Sequence, residues 1–169
     1  MLSRLHIFKA PGLTGLCGVL LSTFGLLVSS LQAQSLPPFK VAVHDHAGII
    51  LLVAATTSDS DLVNLVNALH AARATGSFKA FFPPTTPGGS KGPYAAADVF
   101  VMSDPVWATP AHFEAFMDPP ASSTPAQEKE FARRVRAYYL ASMNAPDTGS
   151  IGYEDQDLGY KTPNYRKLF

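Results

Sequence analysis

The stretch GIILLVAATTSDSDLVNLVNALHAARATG, residues 48–76, narrows the choice of folds more than any other part of the chain. Residues 49–55 form an unbroken apolar run, bounded by Gly48 and by the polar Thr56-Thr57-Ser58-Asp59-Ser60. Short apolar runs rich in β-branched residues and closed by turn formers suit a buried strand. Beyond the polar break, Leu62, Leu65, Val66 and Leu69 recur at helical spacing and put one apolar stripe on a helix over residues 60–75. Ser58 or Asp59 can cap its first turn, and Asp61 sits where the partial positive charge of a helix start favours an anion. Gly76 can take the left-handed position just past the helix end. A strand feeding an amphipathic helix is a βα unit.

The neighbouring segments extend it. Leu36-Pro37-Pro38 is an extended lead-in, residues 39–43 alternate as a strand, and His44-Asp45-His46-Ala47-Gly48 reads as the turn of a hairpin. Residues 78–82 are an aromatic cluster, a strand or a packed loop, and PPTTPGGSKGP (83–93) is a surface loop by composition. Residues 97–102 repeat the strand signal. Ser103-Asp104-Pro105 then makes a turn into a short helix with Thr109 as N-cap and Pro110 at its first position. With the strands at 49–55 and 97–102 parallel, the helix between them becomes a right-handed crossover.

Thr124 and Gln127 form a capping box for a longer helix expected over residues 125–143. Phe131, Val135, Tyr138/Tyr139 and Ser142 lie on one side of that helix, with Glu130 and Arg134 paired opposite. Arg133, Arg134 and Arg136 read as its solvated face. The expected fold is therefore α/β: a small mixed sheet, hairpin plus parallel βαβ crossover, covered by helices in one domain over residues 36–143. Residues 144–169 are expected as an extended C-terminal arm.

Export is written into the first 35 residues. Arg4 and Lys9 precede an almost uncharged stretch over 13–31, and Ala33-Gln34-Ser35 offers small residues for cleavage. That order marks a secretory signal peptide, with an uncleaved anchor as the alternative. The single cysteine, Cys17, falls inside this segment, and Leu16 before it is a poor match to a lipoprotein box. Downstream of it a disulfide scaffold, a thiol nucleophile, a cysteine-ligated metal and a covalently attached c-type haem are all excluded. The net charge of zero gives no pull toward nucleic acid or an anionic membrane.

Catalytic chemistry is thin. His44 and His46 share a strand face and are the best metal candidates, but a site needs a third ligand, and nothing in the spacing recruits His70 or His112. Asp104 stands at a strand end where α/β folds place functional groups, although Ser-Asp-Pro is also an ordinary turn starter. With His112 it would serve a hydrolase or isomerase only if the two met in one cleft. No G-x-S-x-G occurs, and Gly88-Gly89-Ser90-Lys91-Gly92 lacks the Walker spacing.

The residues that stand out are aromatic. Residues 144–169 show no helical or strand period, yet carry Tyr153, Tyr160, Tyr165 and Phe169. With Trp107 on its strand-to-helix turn, these are the expected partner-binding residues. LPPFKVAVHDHAGIILLVAAT has the cadence of thioredoxin-like exported proteins, without the redox Cys-x-x-Cys. Over residues 39–169 the segments SDSDLVNLVNALHAAR, FFPPTTPGG, DVFVMSDPVWATPAHFEAFM and IGYEDQDLGYKTPNYRKLF together resemble the small third subunit of the membrane-bound quinohaemoprotein alcohol dehydrogenases of acetic acid bacteria. The resemblance implies a periplasmic, non-catalytic subunit, held at the inner membrane through its complex, that stabilises and helps mature a large dehydrogenase subunit. It implies no cofactor on this chain; the quinone (PQQ) and haem c belong to partner subunits. It transfers no functional residues.

Overall fold

The computed structural model describes residues 35–45, 48–77, 97–142 and 145–169. Along them run β1 (Phe39–His44), β2 (Gly48–Val53), α1 (Asp59–Ala74), β3 (Ala97–Met102), α2 (Pro110–Met117), α3 (Pro125–Ala132), β4 (Val135–Ala141), β5 (Thr148–Ile151), β6 (Glu154–Asp155), β7 (Tyr160–Lys161) and β8 (Arg166–Lys167). Six of the strands form one mixed sheet in the order β1-β2-β3-β4-β5-β8, while β6 and β7 pair separately. β1 and β2 are the expected hairpin, and β2 and β3 are the parallel pair. β4, β5 and β8 add antiparallel neighbours beyond β3. The aromatic cluster at 78–82 and the proline loop at 83–93 lie outside the described residues.

Side-chain alternation along the strands gives the sheet two apolar faces. Ile49, Leu51 and Val53 of β2 and Val99 and Val101 of β3 meet the buried Leu62, Leu65, Val66 and Leu69 of α1. Ile50 and Leu52 point the other way, with Phe100 and Met102, toward Phe113 of α2 and Phe131 of α3. Each fully buried aliphatic or aromatic side chain stabilises the fold by about 1.5–3 kcal/mol relative to exposure. The helix starts follow their sequence signals: Ser58 caps α1 with Asp61 in a reciprocal capping box, and Thr109 caps α2. Thr124 and Gln127 form a second capping box on α3. Gly76, with φ +71°, takes the left-handed position past α1.

Two expectations change. The helix expected over residues 125–143 ends at Ala132, and the second half of that span is the strand β4. Phe131, Val135 and Tyr139 are four apart, a spacing that is one helical stripe and equally one strand face. Ala137 and Ala141 settle the matter: Val135, Ala137, Tyr139 and Ala141 are buried while the residues between them are half-buried. As a strand, β4 sends the adjacent Tyr139 and Tyr138 into opposite cores. The C-terminal segment likewise carries strands that belong to the sheet. Ile151 of β5 is buried beside α1, Leu168 and Phe169 pack on the same core, and Tyr153 packs on the other. Gly149 makes this closure possible, since a Cβ there would lie 2.6 Å from the Phe169 ring and 2.7 Å from Val66.

Leu65→Ala is expected to destabilise the domain by about 2–5 kcal/mol in denaturant melts, and Asn64→Ala beside it by less than about 1 kcal/mol. Equal effects would mean that α1 presents a different face. Removing residues 145–169 strips β5 and β8 from the sheet and rings from both cores. The truncated chain is expected to lose its cooperative thermal melt, and a retained sharp transition would place the tail outside the folding unit.

Candidate functional site

The strand-to-helix turn after β3 is built to hold Trp107 at the surface. The Val106 N–H donates to the Asp104 carboxylate at 3.0 Å. The backbone N–H groups of Trp107 and Ala108 donate to the Asp104 carbonyl at 3.2 and 3.1 Å. Asp104 is thus committed to the turn. Val106 is pushed out to 66% exposure, while Trp107 beside it is half-buried. The indole packs on His112, ring centroids 4.5 Å apart, and His112 Nδ1 lies 2.9 Å from the Thr109 hydroxyl that caps α2.

Behind the turn, α2, α3 and the loop between them line a cavity of about 260 Å³. Trp107, His112, Phe116 and Phe131 form its aromatic lining; Glu128 is its one charged side chain, and Asp104 does not line it. Phe116 and Phe131 stack at 4.3 Å, closing one side.

Arginines continue the surface away from the cavity. Arg134 holds its guanidinium 5.4 Å from the Trp107 ring centroid, and Arg133 lies 6.0 Å from that of Tyr160. Glu130 on α3 pairs with both arginines. Trp107, Arg134, Arg133 and Tyr160 therefore form one strip across the α3–β4 turn, with the exposed Val106 at its end. Tyr165 continues the same chemistry, its ring 4.7 Å from the Lys161 ammonium, which pairs with Glu154 across β6 and β7.

The structure divides the five expected partner-binding residues. Trp107, Tyr160 and Tyr165 are half-buried and lie along or beside this strip. Tyr153 is instead absorbed by the second core, against Phe100, Phe116 and Tyr138. Phe169 stacks on His70 at 4.3 Å and meets Tyr139 edge-on. Arg133 and Arg134, expected as a solvated helix face, instead stand over rings contributed by residues distant in sequence. Their run after Phe131 was the available signal.

Two carboxylates are held in polar clusters. Asp147 accepts from the Tyr139 hydroxyl at 2.7 Å and the Ser142 N–H at 3.0 Å, and lies 3.4 Å from His70 Nδ1. Burial works against its ionisation. The two hydrogen bonds, with Arg73 and His70 nearby, more than offset that and keep its carboxyl below the ordinary value. Asp98 is the opposite case. Burial raises its carboxyl above the ordinary 3.8, against the pull of the Tyr138 hydroxyl that donates to it. The Tyr138 hydroxyl is itself pushed up by burial and by Asp98.

His44 sits on β1, and His46 lies outside the described residues. His70 and His112 are carried by helices on opposite faces of the sheet. Among the described residues no group of three or more His, Cys, Asp or Glu side chains is placed to hold a metal, and no helix is long and apolar enough to cross a membrane. Comparison with protein-family models, curated proteins and solved structures finds no match for this chain.

Asp98 gives a signed pH dependence. Because its folded-state carboxyl is raised, its contribution to stability is fully present below the unfolded value and is lost as pH rises through the folded one. Asp98→Asn imitates the protonated acid and keeps an acceptor for Tyr138. The variant is expected to melt above the parent at pH 7 to 8 and to lose that advantage near pH 3. A variant less stable at neutral pH would show that the ionised carboxylate is the favoured form.

Proposed function

We propose that the chain is an exported, non-catalytic accessory subunit that binds a larger alcohol-oxidising dehydrogenase and helps stabilise or assemble it at the periplasmic face of the inner membrane. PQQ and haem c are then carried by partner subunits; no cysteine follows Cys17 to attach a haem covalently. The identity of the partner comes from the resemblance over residues 39–169. The observation that carries the interaction is the Trp107–Arg134–Arg133–Tyr160 strip. Tryptophan, tyrosine and arginine are the residue types that dominate binding energy at interfaces, where rigid rings and flat guanidiniums are desolvated together. The exposed Val106 beside Trp107 adds apolar area at the end of the strip. Such a surface needs no catalytic group to act; it needs a partner that covers it.

The test is recovery of the dehydrogenase, identified by its alcohol-oxidising activity, from solubilised membranes with tagged protein. Trp107→Ala and Arg134→Glu are each expected to weaken the association at least about tenfold, with Asn64→Ala on α1 leaving it intact. All three should keep a cooperative melt. Undiminished recovery with both strip variants would remove this surface from the interface. Failure of the parent protein to bring down any such dehydrogenase would overturn the function itself.

A further inference from the structure

The cavity between α2 and α3 is distinct in chemistry from the strip in front of it. Packed helices ordinarily interdigitate with few voids larger than a water molecule. Here Ala115 on α2, with Pro120 and Ser123 on the connecting loop, leaves a pocket of about 260 Å³ open to solvent on its exposed side. That is just below the roughly 300–1,000 Å³ of ordinary small-molecule pockets. Rings from three segments supply apolar lining: Trp107, His112 and Phe116, and Phe131 of α3.

We propose that this cavity binds a small organic cation: an ammonium group carried on a flat apolar body. Glu128 decides the sign of charge. It is the one charged side chain in the lining, it is half-buried, and its carboxylate has no hydrogen bond or ion pair among the described residues. Arg133 and Arg134, at the end of α3, both turn to Glu130. A half-buried carboxylate in the lining of an apolar pocket interacts favourably with a cation that meets it there. An ammonium restores that interaction while its apolar body covers the rings, and aromatic faces add their own attraction for positive charge. The Arg134 guanidinium over Trp107 shows that this indole tolerates a cation nearby. An anionic ring of the same size would meet Glu128 with repulsion. Glu128 also stands in the first turn of α3, where the helix dipole favours it without any ligand. The experiment separates the two roles.

Trp107 is the only tryptophan in the chain, so all indole emission comes from this one wall of the cavity. The full chain is titrated at constant ionic strength and neutral pH with 2-phenylethylammonium and with 2-phenylethanol, which shares the body and lacks the charge. Excitation is set beyond phenyl absorption. A saturable change with the ammonium is expected, with the alcohol at least about fivefold weaker. Glu128→Gln should level the two while keeping its thermal melt. Ala115→Leu, on the exposed side of α2, should fill the space and abolish both responses. Equal affinity for the two probes, a preference that survives Glu128→Gln, or no saturable response in the parent protein would each overturn the proposal. If Glu128→Gln lowers only the melting temperature and leaves ammonium binding unchanged, the carboxylate serves the helix and not a ligand.

Discussion

Ile49, Leu51 and Val53 leave β2 on one side and Ile50 and Leu52 on the other, so the centre of the sheet is apolar twice over. A sheet of that kind has no stable form in water until both faces are covered. α1, following β2, covers one face, and α2, following β3, covers the other. The two connections diverge from neighbouring parallel strands to opposite sides. β4 and β5 then widen the sheet under α1, and α1 packs against both. Burial of the C-terminal segment is a consequence of this geometry. Without β5, Tyr139 and the inner side of α1 would lose a neighbour that no other described segment supplies.

Two irregularities adjust the faces to the helices. Between Val41 and Val43 the β1–β2 register shifts by one residue, and Val43 joins the α2–α3 core while Val41 packs against the α1 core. A second shift, opposite Val101 and Met102, does the same for Val135 against Ala137. Arg136 is the extra residue at that bulge, and bulges re-aim side chains. Its guanidinium donates to the carbonyls of Thr57 at 2.7 Å and Ala55 at 3.3 Å, and lies 3.6 Å from the Asp59 carboxylate. A cation beside a helix start is unfavourable by itself. Three acceptors offset that and tie β4 to the loop that launches α1.

What could be read from the chain beforehand was whatever is encoded locally. The run at 49–55, a cap at Ser58 or Asp59, the capping box at Thr124, Thr109 before Pro110 and Gly76 after α1 each act within a few residues; the structure puts the first cap at Ser58 and the others where expected. Beyond Ala132 a spacing of four fits both periods, and only the sheet's need for a strand beside β3 chooses between them. β5 was invisible for a different reason. Gly149 and Ser150 carry little strand propensity, and the place of Thr148, Gly149 and Ser150 is fixed by pairing with Leu140, Tyr139 and Tyr138 and by the Phe169 ring over Gly149. The site was half legible. Trp107 stood out by type and position, but its arginine neighbour and the cavity behind it arise from long-range packing.

The two faces differ in how completely they are closed, and the proposed interaction surface lies on the less closed one. α1 is 16 residues long, about 24 Å of helix, and its flank is sealed by Leu168 and by Phe169 stacked on His70. α2 and α3 have 8 residues each, about 12 Å apiece, and both line a cavity beside the Phe116–Phe131 stack. Rings compensate from within: Phe100 touches Phe113, Phe116, Phe131, Tyr138 and Tyr153, so the second core is held by aromatic edges where the first is held by aliphatic contacts. Aromatic cores of this kind leave large side chains straddling core and surface, as Trp107 and Phe116 do. The short helices, the open cavity, the exposed Val106 and the arginine-capped rings therefore share one cause, and all lie on the face that α1 does not cover.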